Sequence, residues 1–378
     1  MKLDIMRNRL LEALNDVMRA VSSKTTHPIL TGIKIELTKN GLLLTGSDSD
    51  MTIQSFIHIE ENGEQVIRVV EEGAIVLQAR MFYEIIRKLP SNDVTITVGP
   101  NHQTHIHAGK SDFHLIGMDS TEYPLIGEPK DAQTFSLKEQ ELRTIIRETV
   151  FAVSTSETRP VLTGVKWSLH HAELVCTATD SHRLARTKIA LASTQENEYS
   201  LVIPGKALSE LSKIIEDTEQ TVWITSNQQQ VMFKTSQVVF VTRLLEGSYP
   251  DTSRLIPQEF QTTLELEGKR LFQAIDRASL MAKEERNNIV RLKSLSEESV
   301  EISSHSPEIG HVEEEVSTSL VEGEEISISF SAKYMMDGLK AFGDQPVKIQ
   351  FTGGMRPFVI HSTNDDRLLQ LIVPVRTY

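Results

Sequence analysis

"SSKTTHPILTGIKIELTKNGLLLTGSDSD", residues 22–50, and "STSETRPVLTGVKWSLHHAELVCTATDSH", residues 154–182, align without a gap at a constant offset of 132 residues. Pro28, Leu30, Thr31, Gly32, Lys34, Leu37, Leu42, Thr45, Asp48 and Ser49 all recur unchanged at that offset. Chance does not readily give such agreement, so the chain is read first as a repeat. The same offset covers the helical pattern ahead of each copy, with Leu10, Ala20 and Val21 falling on Leu142, Ala152 and Val153. A third version, "RLFQAIDRASLMAKE" from Arg270, puts Leu271, Ala274, Ile275 and Ala278 on the stripe of an amphipathic helix.

A second helical pattern also occurs three times: "ARMFYEIIRKL" from Ala79, "GKALSELSKII" from Gly205 and "AKYMMDGLKAF" from Ala332. Each follows a β-like run ("AIVLQ", "SLVIP", "ISISF") and precedes an alternating strand ("VTITV", "TVWIT", "VKIQF"). The joints "EYPLIGEP" and "SYPDTSRLIP" carry the prolines of domain boundaries. The pattern predicts an α+β fold of three repeated domains, residues 1–127, 128–255 and 256–378, each with two helices packed on antiparallel sheet. Units of about 126 residues can hold their own cores, unlike the short repeats of a solenoid.

Composition narrows the function classes. A single cysteine, Cys176, rules out an intramolecular disulfide and fits a reducing compartment. No run approaches the roughly 18 apolar residues of a membrane span. The opening residues mix acids and bases, with no continuous apolar core of a signal peptide. The expectation is a soluble, cytoplasmic protein. The net charge of −13, taken alone, argues against a nucleic-acid partner.

Several chemical signals are weak. Asp180, Ser181 and His182 are the residue types of a hydrolytic triad, but consecutive side chains on an extended segment point to alternate faces. There is no G-x-S-x-G elbow. A strand end is expected instead, with Asp180 and Ser181 bonding local backbone. Asp180 and Ser181 recur in the first copy while His182 and Arg183 do not, so the pair is the local novelty. In "NHQTHIHAG", with His102, His105 and His107, the last two share a strand face and could hold a metal. No cysteine or carboxylate is expected close by, so an exposed strand is the reading. "AGKS" lacks the first glycine of a phosphate loop, and Gly353 and Gly354 read as a hairpin turn. No catalytic set, metal or cofactor is expected.

The second helices carry basic residues in register: Arg80 and Arg87, Lys206 and Lys213, Lys333 and Lys340. Members of each pair are seven residues apart, two turns on one face. Apolar residues are assigned to the other side: Met81, Ile85 and Leu89; Leu208, Leu211 and Ile215; Met336, Leu339 and Phe342. Three matching pairs in an acidic chain favour contact with a repetitive polyanion through its phosphates. A monomeric scaffold for acidic partners is the alternative.

The triple repeat, "PILTGI", "TDSHRLA", "YPD…LIP" and the terminal "IVPVRTY" resemble the bacterial sliding-clamp family, the beta subunit of the replicative DNA polymerase, in its Gram-positive bacillus form. The resemblance covers the whole chain. It implies a ring made by a head-to-tail homodimer, with helices lining a hole that holds duplex DNA non-specifically. It implies a non-catalytic processivity factor, cytoplasmic and nucleoid-associated. The implied partners are the clamp loader, the replicative polymerase and, through short linear peptides, repair polymerases, mismatch-repair proteins and DNA ligase. The implied peptide pocket is Leu162, Thr179, His182, Arg183, Leu184, Pro250, Arg254, Leu255, Leu371, Val373, Pro374, Val375 and Arg376. Its arginines are expected to cover apolar surface and keep their charge at the rim. Val373 and Val375 stand where several members carry methionines, which changes the peptides that fit best.

The implied DNA-facing residues are Lys24, Arg80, Arg87, Lys206, Lys213, Lys333 and Lys340. Ser156, Pro160 and Val161 replace a glutamine and a tyrosine pair, removing a stacking surface. The implied dimer contact sets Phe113 and Leu115 against Leu280 and Met281. An acidic exterior and a basic lining coexist when they lie more than a Debye length, about 8–10 Å, apart.

Overall fold

The computed structural model describes residues 1–22, 25–61, 63–124, 127–191, 198–282 and 288–376. Two helices fall in each predicted repeat: α1 (Arg7–Val17) and α2 (Ala79–Lys88), α3 (Glu139–Thr149) and α4 (Gly205–Leu211), α5 (Gly268–Ala282) and α6 (Ala332–Phe342). Each second helix stands between the expected strands. Gly73–Gln78, Tyr199–Pro204 and Ser327–Ser331 precede it, and Asp93–Val98, Thr221–Ser226 and Pro346–Phe351 follow. No helix among the described residues is long and apolar enough to cross a membrane.

Burial follows the sequence periods. Along Met51–His58, Met51, Ile53, Ser55 and Ile57 are buried and the residues between them are not. In α5, Leu271, Ala274, Ile275 and Ala278 have no exposed surface. Burying a Leu or Ile side chain fully is worth about 1.5–3 kcal/mol, so this face alone commits the helix to its sheet.

Packing divides the chain into two compact units, residues 1–140 with 210–244 and residues 141–209 with 245–378. The division falls inside the middle repeat because that repeat gives strands to two different sheets. In the first unit, Val238–Arg243 pairs antiparallel with Met51–His58, setting Phe240 opposite Ile53 in an eight-stranded sheet. In the second unit, Leu368–Ile372 pairs antiparallel with Arg183–Ala190, setting Leu371 opposite Leu184 in a nine-stranded sheet. The rule is the same twice: the last strand of one repeat joins the fourth strand of the repeat before it. Two strands are left over. Ser111–Ile116 is an edge of the five-stranded sheet in the first unit, and Gly310–Ser317 is an edge of the four-stranded sheet in the second.

Three sequence assignments are corrected. The buried stripe of α2 is Phe82, Ile85 and Ile86, continued by Leu89, while Met81 is 55% exposed. Met81 and Ile85 are also four apart, so the reading took the wrong member of two overlapping rows. In α6 the fully buried methionine is Met335, and Met336 is only partly buried. Helix α4 ends at Leu211, and Lys213 lies in the turn beyond it, its N–H donating to the Glu210 carbonyl at 3.2 Å. The two-turn spacing of basic residues therefore describes α2 and α6 but not α4.

Candidate peptide pocket and nucleic-acid surface

The turn after Glu173–Thr179 answers the triad question. Asp180 Oδ1 accepts from the backbone N–H of His182 at 2.9 Å and of Arg183 at 3.0 Å. Thr179 Oγ1 donates to the Arg183 carbonyl at 2.6 Å. In the first repeat Asp48 Oδ1 accepts from Asp50 and Met51 at 3.1 and 2.8 Å, and Ser47 Oγ donates to the Met51 carbonyl at 3.3 Å. Ser181 and Ser49 take the same left-handed conformation, φ 78° and 82°. Such a residue costs about 1–2 kcal/mol, and net hydrogen bonds of about 1 kcal/mol each offset it. The recurring aspartate and serine thus build a turn, as expected. Asp180 is spent on backbone and on Arg183 and does not orient the His182 imidazole, which stacks near Tyr334 with ring centroids 6.5 Å apart.

Arg183 is not at a rim. It is 8% exposed, and its Nε donates to Asp180 at 3.0 Å and its Nη1 to Asp337 at 2.8 Å. Its Nη2 donates to the Phe151 carbonyl, and the guanidinium lies 4.5 Å from the Tyr334 ring centroid. Burying one ion costs several kcal/mol, and two carboxylates, a carbonyl and an aromatic face are what make it tolerable here. Arg183 therefore holds the turn against α6, and leaves His182 exposed above it.

The C-terminal segment runs beside this turn, wholly within the second unit. The Val373 N–H donates to the His182 carbonyl at 2.9 Å, and the Val375 N–H to the Ser329 carbonyl at 2.8 Å. Leu184, Val359, Leu369 and Leu371 form a buried cluster, with Ile256, Phe260 and Val373 partly buried against it. The structure thus brings together Thr179, His182, Arg183, Leu184, Leu371 and Val373. Leu162 is buried in a separate one-turn helix, Pro160–Thr163, whose Thr163 hydroxyl donates to the Pro160 carbonyl at 2.7 Å, as Thr31 does to Pro28. Pro374 and Val375 are partly buried, while Pro250, Arg254, Leu255 and Arg376 are exposed. Leu255 is 53% exposed on the linker just before Ile256, and Arg254 Nε sits 3.4 Å from Asp251. Arg254 and Arg376 are the exposed arginines of this set.

Sequence reasoning missed Tyr334, Asp337, Ile256 and Phe260. Ile256 lies in the quoted linker and Phe260 just beyond it, and the apolar residues there could have suggested them. Tyr334 and Asp337 carry no such signal, since they meet Arg183 only through the fold. Cys176 is fully buried, which pushes its thiol well above the ordinary range and leaves it inert.

Of the basic residues, Arg80, Arg87, Lys206, Lys213, Lys333 and Lys340 are exposed, and Lys24 lies outside the described residues. Arg87 is paired with Glu84 at 2.7 Å and Lys213 with Glu210 at 2.7 Å, which lowers both carboxyls. Lys340 lies 5.5 Å from the Phe272 ring centroid. Arg80 and Met81, with Gln78, Glu84, Leu115 and Ile116, line an open groove on the first unit.

Comparison with known proteins agrees with this architecture. The three domain profiles of the DNA polymerase III beta subunit match in order: N-terminal domain at residues 1–127, central domain at 136–251 and C-terminal domain at 253–376. The beta sliding clamp of Bacillus subtilis is 50% identical over 378 residues, the whole of both chains. The crystal structure of a Bacillus subtilis sliding clamp superposes with a TM-score of 0.96 over the whole of both chains. A Pseudomonas aeruginosa sliding clamp bound to griselimycin, 25% identical, covers both chains fully with a TM-score of 0.93. The chain belongs to the family of the DNA polymerase III beta subunit, the beta sliding clamps.

Proposed function

We propose that two copies of this chain close head to tail into a ring that encircles duplex DNA and tethers polymerase and repair proteins through the pocket beside His182. The observation that carries the assembly is the strand-pairing rule. Within the chain, the last strand of the second repeat finds the first repeat, and the last strand of the third finds the second. Among the described strands, Ser111–Ile116 and Gly310–Ser317 lack the corresponding neighbour, and a second copy offers each to the other. The groove of Met81, Leu115 and Ile116 suits an apolar anchor, and Leu280, 55% exposed at the end of α5, is one. Leu280→Ala with Met281→Ala should turn a dimer into a monomer at nanomolar concentration in sedimentation velocity. A variant as dimeric as the parent would remove this interface.

The domain boundaries proposed are 1–127, 128–255 and 256–378. The DNA-facing set is Lys24, Arg80, Arg87, Lys206, Lys213, Lys333 and Lys340. Arg80 and Lys333 occupy the first turns of α2 and α6, where a cation opposes the positive end of the helix dipole. A cation there is easier to understand facing phosphates than facing water alone. The peptide occupant is one with leucine and phenylalanine anchors, lying over Leu184, Leu371 and Val373 and bounded by Arg254 and Arg376. The clamp loader, replicative and repair polymerases, mismatch-repair proteins and ligase are its proposed sources.

A further inference from the structure

The hairpin Gln103–Ala108 and Ser111–Ile116 turns at Gly109, whose φ is 63°. The tight turn fixes a register that sets His105 opposite His114 and His107 opposite Asp112. These four side chains therefore share one face, and Ile106 and Phe113 take the other. The sequence reading expected no carboxylate near His105. Asp112 supplies one from the neighbouring strand, a partner that linear spacing could not reveal.

The geometry points to a divalent metal site on this face, and we propose that it takes a first-row ion of the zinc, nickel and copper class. The ligand atoms of His105, Asp112 and His114 all lie within 4.8 Å of one another. His114 Nε2 is 3.4 Å from Asp112 Oδ2, and the rings of His105 and His114 stand 4.2 Å apart at 79°. Converging donors at that separation need only to draw in around an ion at about 2.0–2.2 Å. Imidazole with a single carboxylate suits zinc-class ions, where an oxygen-only set would suit calcium or magnesium. His107, exposed and across from Asp112, shares the face but lies outside this cluster, so three protein ligands leave a fourth position for water. The bound ion would clip the outermost strand to its neighbour. The inference rests on the hairpin's own residues, and Ser111–Ile116 is also the strand that the proposed ring pairs across copies.

Titration of the metal-stripped full-length protein with Zn²⁺ and with Co²⁺ tests it. One ion should bind per chain, and Co²⁺ should give the visible absorption of a tetrahedral site. His105→Ala with His114→Ala should weaken binding at least 10-fold. The single change Asp112→Asn, which keeps shape, should weaken it less. His170→Ala with His171→Ala, a second histidine pair near Glu198, should leave it unchanged. Far-ultraviolet circular dichroism checks that each variant is folded. Absence of saturable binding, or equal binding by the His105/His114 variant, would overturn the proposal.

Discussion

Arg183 and His182 are neighbours with opposite fates. Arg183→Ala leaves the half-buried carboxylates of Asp180 and Asp337 without their cation; a fully buried pair would lose about 3–5 kcal/mol, and their partial exposure reduces that. Its melting temperature should therefore fall by several degrees. His182→Ala removes an exposed ring and should leave the melting temperature in place, while weakening binding of a fluorescent leucine–phenylalanine peptide several-fold. If Arg183→Ala melts like the parent, its network is not structural. The sequence showed that both residues break the repeat, but not which served the fold, because Asp337 is 154 positions away. The turn aspartate and serine were legible, since their bonds are local and occur twice.

At the scale of elements, α1 carries an ionisation that stability measurements can read. Burial pushes the Asp16 carboxyl up to about 6, against the nearby Arg19 charge and the Ser55 hydroxyl 3.4 Å away. The folded chain keeps this proton after the unfolded chain has lost it. Stability from this group is thus full below about pH 4 and falls as pH rises to about 6, a loss of about 3 kcal/mol. Asp16→Asn should flatten that part of the profile in urea titrations between pH 4 and 7; an unchanged slope would assign it to other groups. The tail is the other informative element. Deleting residues 373–378 removes the Val373 and Val375 backbone bonds and should abolish peptide binding, about −8 kcal/mol for a micromolar ligand, while sedimentation still reports a dimer. Equal binding by the truncated chain would exclude the tail from the pocket. Helix stripes and strand alternation were legible because they repeat every few residues. The short reach of α4 and the exposure of Met81 were not, because each is decided by what packs on the element.

For the whole molecule, the chain is a non-catalytic clamp subunit of the replicative polymerase, and its net charge of −13 is compatible with encircling a polyanion. Two repeats were legible in the sequence as a constant offset, and the third through its recurring helical patterns. The interlocking of sheets across repeats was not, since strand pairing between distant segments leaves no spacing to read. Basic residues should act in graded fashion. Lys206→Glu with Lys333→Glu should weaken DNA contact most at low salt and progressively less as salt rises. Arg80 is left intact in that variant, because it lines the apolar groove and its exchange would disturb the dimer as well. A loss of equal size at every salt concentration would indicate misfolding. The central claim is topological, and one measurement tests it directly: retention of the protein, once loaded by its clamp loader, on nicked circular DNA before and after the circle is cut at one site. The protein should stay on the circle and run off the linear ends within the time of the assay. Equal retention on both forms would show that it holds DNA by contact and not by enclosure.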